Sequence, residues 1–191
     1  RYFELCKHAM IQAPEYYSTI CKHFNQEQRT ELYNIAIHYS PMVLIYIPEE
    51  LRTLEHYNIA IKQDSMMLEY ISEEFRTQEL CMMALHGNPY LLSYIKDYIP
   101  EEFMTKEAYL SLFQENPDII SMIPSEYITE EHYLYAINKN AISLQKVPKE
   151  FITKEICLSA VQQNEHNMEY INKSMPYYSE CLKIAVQKDP Y

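Results

Sequence analysis

Cysteine, histidine and glutamate are the side chains of this sequence best suited to chemistry, and their spacing decides which chemistry is open. The five cysteines are Cys6, Cys21, Cys81, Cys157 and Cys181. No C-x-x-C occurs, so the sequence offers neither a dithiol redox motif nor a thiolate zinc knuckle. The seven histidines are His8, His23, His38, His56, His86, His132 and His166. Cys81 and His86 stand five apart and Cys21 and His23 two apart, poor helical spacings for one metal ion. There is no H-E-x-x-H. The single glycine, Gly87, removes every glycine-rich phosphate loop and the G-x-S-x-G nucleophile turn. The expectation is therefore no catalytic residue, no metal, no cofactor and no enzyme activity.

Glutamate is placed more systematically. Glu49, Glu50 and Glu55 form one group; Glu73, Glu74 and Glu79 the next; then Glu101, Glu102 and Glu107; then Glu126, Glu130 and Glu131; then Glu150 and Glu155. These groups recur at the same place in a repeating unit, and the unit explains them. Numbered from zero, the units begin at Tyr2, Arg29, Thr53, Thr77, Thr105, Thr129, Thr153 and Tyr178, most of them 24 residues apart. Position +2 is Glu in all eight units, and +7 is Ala in seven, with Leu112 the exception. Position +8 is always a large apolar residue, and +4 is Tyr or Cys except at Leu182. Positions +4, +7 and +8 lie on one face of a helix.

Each unit should thus open with a helix capped by Thr53, Thr77, Thr105, Thr129 or Thr153, with Thr30 and Ser179 taking that role one residue later in two other units. The +2 Glu falls in the first turn, where the helix dipole favours an anion. Asn88, Asn116, Asn140 and Asn164 at +11 should end the helix in a left-handed cap. A second, two-turn helix should bury +15 and +18. The apolar residue two before the next Thr (Leu51, Phe75, Phe103, Tyr127, Phe151) should plug the joint between units. Cysteines alternating with Tyr at +4 read as packing thiols. Histidines shared between units, His56 with His132 and His38 with His86, read as solvated faces. One such helix pair cannot bury its apolar face alone but can when stacked, so the fold is all-α, an α-solenoid of about eight two-helix repeats, read as a single domain over residues 1–191, with a piece of a longer array or multidomain protein as the alternative. Prolines in most units exclude a long coiled coil.

The pattern T-x-E-[Ile/Leu]-Cys-x-x-Ala-Val-x-x-Asn followed by Leu-x-Tyr-Ile-Pro-x-Glu-Phe is clearest in "TKEICLSAVQQN", Thr153 to Asn164. It resembles the short two-helix repeats of a domain-of-unknown-function family found in secreted effectors of intracellular bacteria and in large amoebal viruses. The resemblance implies a helical array and a host-directed role, and carries no catalytic residue with it.

With 16 basic and 27 acidic residues the net charge is −11. Phosphate contacts need a basic face, so a nucleic-acid partner is not expected. No apolar stretch reaches membrane-spanning length. The expected function is a non-enzymatic protein–protein interaction module whose partner has a basic surface. The place of action is the cytoplasm or, after secretion, a host cytoplasm. The alternatives are an accessory or catalytic segment of an effector enzyme and an acidic mimic of nucleic acid. The unit from Thr77 departs most from the pattern: it carries the insertion Lys96–Ile99, which should lengthen its second helix, and the tyrosines Tyr90, Tyr94 and Tyr98 four apart. Departures from a repeat mark places where function overrides uniform stacking. The expected binding residues are therefore Tyr90, Tyr94 and Tyr98 with the flanking Glu73, Glu74, Glu101 and Glu102.

Overall fold

The computed structural model describes residues 2–13, 16–93 and 98–188. Among these residues all regular structure is helical, with no strand. The α-helices are α1 (Tyr2–Gln12), α2 (Tyr17–Ile20), α3 (Gln26–Ala36), α4 (Leu54–Gln63), α5 (Gln78–Gly87), α6 (Lys106–Glu115), α7 (Glu130–Asn138), α8 (Lys154–Gln163) and α9 (Tyr178–Lys188). Two compact units, Arg1–Thr105 and Lys106–Tyr191, divide the chain at a repeat boundary. The first contains α1 to α5 and the second α6 to α9.

Each unit is a stack of the repeats read from the sequence. In the first, α1 packs on α3 and α4 on α5; in the second, α7 packs on α8 and α8 on α9. The helices begin where a threonine can accept an orphan N–H. Thr53 Oγ accepts from His56 N–H at 3.3 Å, Thr77 from Leu80 at 3.3 Å and Thr153 from Ile156 at 3.4 Å. Thr30 and Ser179 do not cap. α3 starts earlier, at Asn25, which forms a reciprocal capping box with Gln28, and the Thr30 hydroxyl instead donates to Gln26 O inside the helix. Ser179 lies within the first turn of α9.

The buried face is wider than the sequence pattern indicated. Positions +4, +7 and +8 are buried in α4, α5 and α8, and so is +3: His56, Leu80 and Ile156. The end helices show what this width is for. α1 buries Cys6 and Met10, at +4 and +8, and leaves Leu5 and Ala9 exposed. α9 buries Cys181 and Ala185, at +3 and +7, and leaves Leu182 and Val186 exposed. One half of the face meets the preceding repeat and the other half the following one.

The second helix of the first repeat is the single α-turn α2 running into a 3-10 turn, whereas in six repeats it is a 3-10 helix rather than an α-helix: Pro41–Tyr46, Ser65–Tyr70, Pro89–Ser93, Pro117–Met122, Leu144–Lys146 and Glu165–Tyr170. Its core positions +15 and +18 are three apart, the spacing a 3-10 helix eclipses. The +18 N–H reaches the +15 carbonyl in Ile47–Leu44, Ile71–Leu68, Ile123–Ile120, Val147–Leu144 and Ile171–Met168 at 3.1–3.4 Å. Position +14 is also buried, as Val43, Met67, Leu91 and Ile119, and in one repeat it is Asn167. That amide is fully employed: its Oδ1 accepts from Leu144 N–H at 2.8 Å and its Nδ2 donates to the carbonyls of Ala160 and Asn164.

The +11 residues do not end the α-helices in left-handed caps, with one exception. Asp64, Asn88 and Asn164 are extended, with φ of −147°, −151° and −149°. Their side-chain oxygens accept the N–H two residues on, at Met66, Tyr90 and His166, and so start the next helix. The exception is Asn140, at φ 54°. There Ala141 N–H bonds to Ala136 O and Asn140 N–H to Ile137 O, the paired closure of a Schellman motif.

The residues expected to plug the joints are only half-buried, and Phe75 is exposed. They sit in short 3-10 turns, such as Glu73–Phe75 and Glu101–Phe103. Their rings rest on the +4 tyrosine of the same repeat: Tyr57 on Phe75 at 5.9 Å, Tyr109 on Tyr127 at 5.9 Å and Tyr133 on Phe151 at 5.0 Å between centroids. Of the insertion Lys96–Ile99, expected to lengthen the second helix of its repeat, Lys96 and Asp97 lie outside the described residues.

Candidate functional site

Two consecutive Pro/Ser-Glu-Glu-Phe turns of the first unit end on either side of one groove. Glu73 and Glu74 open the turn Glu73–Phe75, and Glu101 and Glu102 the turn Glu101–Phe103. The cavity they share measures about 800 Å³ and is also lined by Arg76 and Tyr98. Ile99 and Phe103 supply its apolar surface, and Thr77 and Gln78, at the start of α5, complete it with Pro100. All four carboxylates are exposed.

Arg76 is held in place by the backbone. Its Nε donates to Ile71 O at 2.7 Å and its Nη1 to Tyr98 O at 3.2 Å. The guanidinium lies over the Tyr98 ring, 5.0 Å from its centroid. By sequence alone Arg52 and Arg76, each beside a Glu-Glu pair, would be expected to pair with those carboxylates. The structure shows instead a repeated clamp: Arg52 likewise donates from Nε to Ile47 O at 2.9 Å and from Nη1 to Tyr70 O at 3.2 Å. Each arginine ties the end of one short helix to the end of the next. In the second unit the equivalent positions are Ile128 and Ile152, which cannot make this bond.

Five of the seven expected binding residues, Glu73, Glu74, Tyr98, Glu101 and Glu102, therefore share one cavity. Tyr90 does not line it; that ring is 46% exposed elsewhere on the unit. Tyr94 lies outside the described residues. Arg76, Gln78 and Phe103 were missed as lining residues. The repeat pattern already held the signal for Phe103, since whatever follows each Glu-Glu pair must share its turn.

The cysteines, His56 and His132 have structural employment. All five cysteines are free and buried. Burial pushes the Cys21 thiol up to about 12 and Cys81 to about 11, far from thiolate formation at neutral pH. His56 is not on a solvated face: it is 4% exposed. Its Nδ1 accepts Thr53 N–H at 3.1 Å, completing a capping box, and its Nε2 meets Asn34 Oδ1 at 2.7 Å. Those bonds fix the neutral ring with the proton on Nε2. Burial lowers its pKa below the ordinary 6.5. His132 repeats half of this, its Nδ1 accepting Thr129 N–H at 3.0 Å. Among the described residues no three His, Cys, Asp or Glu side chains come together as a metal site. Nor is any helix among them long and apolar enough to cross a membrane.

The fold and the groove define an all-α repeat protein with an acidic, partly aromatic cleft. Residues 58–100 match the model of a domain of unknown function, DUF4116. The match runs from the middle of α4 through Pro100 and takes in Glu73, Glu74, Arg76 and Tyr98, but covers less than half of the chain. No curated protein and no solved structure matches the chain.

Proposed function

We propose that the chain is a non-enzymatic protein-interaction module and that the groove of the first unit receives a basic segment of a partner protein. The observation that carries this reading is the imbalance in the groove. Among the described residues four exposed carboxylates face one guanidinium, and that guanidinium already spends its Nε and Nη1 donors on backbone carbonyls. Among the described residues no cation stands within ion-pair distance of Glu73, Glu74, Glu101 or Glu102. A field of one sign in a cleft raises the encounter rate of an oppositely charged partner. Tyr98, 38% exposed, adds a rigid ring beside it, the kind of group that anchors interfaces. Reduced, buried cysteines suit the cytoplasm as the place of action, the cell's own or that of a host reached by secretion.

The test uses an octalysine peptide as a defined probe, with the salt dependence of its affinity measured by titration calorimetry. Neutralising Glu73, Glu74, Glu101 and Glu102 to glutamine should weaken binding about tenfold, taking roughly 0.2–1 kcal/mol for each exposed charge. Tyr98→Ser should weaken it further while leaving the melting temperature nearly unchanged. Equal affinity of the native and fourfold-neutralised chains, both folded, would remove the groove as the site.

A further inference from the structure

A second cavity, of about 520 Å³, is lined by residues of α6 and α7 in the other unit. Three rings form much of its wall: Phe113, His132 and Tyr135. They are not parallel. His132 meets Phe113 edge-on at 5.4 Å with 73° between planes, and Tyr135 meets it at 5.7 Å with 56°. Leu110, Gln114 and Glu131 complete the lining, and Glu131 is its only carboxylate. The His132 ring is oriented by its Nδ1, which accepts the Thr129 N–H at 3.0 Å. The chain's own Lys139 ammonium lies over the Tyr135 ring, 5.5 Å from its centroid, so a guest cation shares this ring with Lys139. The arrangement is peculiar to this repeat. Phe113 is the one aromatic residue at +8 among the eight units, and Tyr135 the one phenol at +6.

We propose that this cavity binds the trimethylated ammonium of a modified lysine on a partner protein. A cation is drawn to the negative π face of a ring, rings at steep angles can turn more than one face toward a central guest, and a carboxylate supplies the matching charge. A quaternary ammonium donates no hydrogen bond and holds its water weakly, so an aromatic wall can replace its hydration. An unmodified ammonium is strongly hydrated and carries three donors that these rings do not satisfy. The cavity lies in a different unit from the acidic groove, so this proposal and the groove reading fail separately.

The test is an NMR titration of the whole chain with three short peptides that differ at one residue: trimethyllysine, unmodified lysine, or the all-carbon isostere bearing a tert-butyl group. Trimethyllysine should give saturating shifts of the Tyr135 ring and Leu110 methyl signals, with the other two at least about tenfold weaker. Tyr135 is 39% exposed, so its replacement leaves the core intact. Tyr135→Phe should retain binding and Tyr135→Leu should lose about tenfold. Equal binding of the isostere would show a merely apolar pocket and overturn the proposal. So would the absence of saturation with trimethyllysine, or a folded Tyr135→Leu chain that binds as well as the native one. A stronger response to phosphocholine micelles than to the peptide would overturn the assignment to a protein partner.

Discussion

At the scale of single residues, His56 shows how one repeat position can hold unlike side chains. Leu80 and Ile156 fill +3 with carbon, whereas His56 fills it with a ring whose two nitrogens are both bonded. The cost of this choice is sensitivity to acid. In the folded chain the pKa lies below 6.5 because burial disfavours the imidazolium. Below about pH 6.5 the unfolded chain takes up a proton that the folded chain still refuses, so stability falls with pH until the lowered folded value is passed. Above that window the contribution is complete. His56→Gln provides the control, because Gln28 already completes the capping box of α3 from the same helical position. Between pH 7.5 and 5.5 the native chain should lose more in melting temperature than His56→Gln. Parallel losses would show that another group governs acid stability.

At the scale of the elements, the small residue at +7 sets how closely consecutive helices approach. Ala136 is fully buried in α7, which packs on α8. Ala136→Leu should overpack this contact and cost about 1–3 kcal/mol, read as a lowered melting temperature. The repeat contains its own control in Ala9, which holds the same position in α1 but is exposed. Ala9→Leu should stay within about 0.5 kcal/mol of the native chain. Equal effects at the two sites would mean that helix propensity, and not close approach, explains the alanines. The arginine clamps act at this scale as well. Arg52 and Arg76 join successive short helices in the first unit, and apolar residues stand at that place in the second.

At the scale of the whole molecule, a repeat fold is held by contacts between neighbours, with no single staple. The five thiols contribute as small apolar side chains. Helical circular dichroism and the melting curve should therefore be unchanged by excess reductant. A fall in either would reveal a cross-link on which the fold depends. Eight of the 27 acidic residues are the Glu at +2, spread along the repeats where each serves a helix dipole, so that part of the charge is a property of the fold. The four carboxylates of the groove are different in kind, because two turns bring them into one cavity.

The repeat, its α-helix and the residues that stack were legible in the sequence, because helix periodicity and capping act over four residues and eight units say the same thing. Thr53, Thr77 and Thr153 cap as their positions require. The nearness of Glu73 and Glu74 to Glu101 and Glu102 was legible too, since residues at equal places in successive repeats are neighbours, but the placing of Tyr98 in the same cavity was not. What required the tertiary structure was every choice made by packing. A run such as Ser65–Tyr70 can coil as either an α-helix or a 3-10 helix, and the room left beside α4 and α5 selected the tighter form. His56 and Asn167 look like surface residues by type, and only bonds to Asn34 and Leu144, both more than 20 residues away, put them inside. Arg76 was turned from its acidic neighbours to the carbonyls of Ile71 and Tyr98 by the same kind of distant contact. Local patterns determine which residues form helices; the partners of polar side chains are set by atoms that the chain brings together only when it folds.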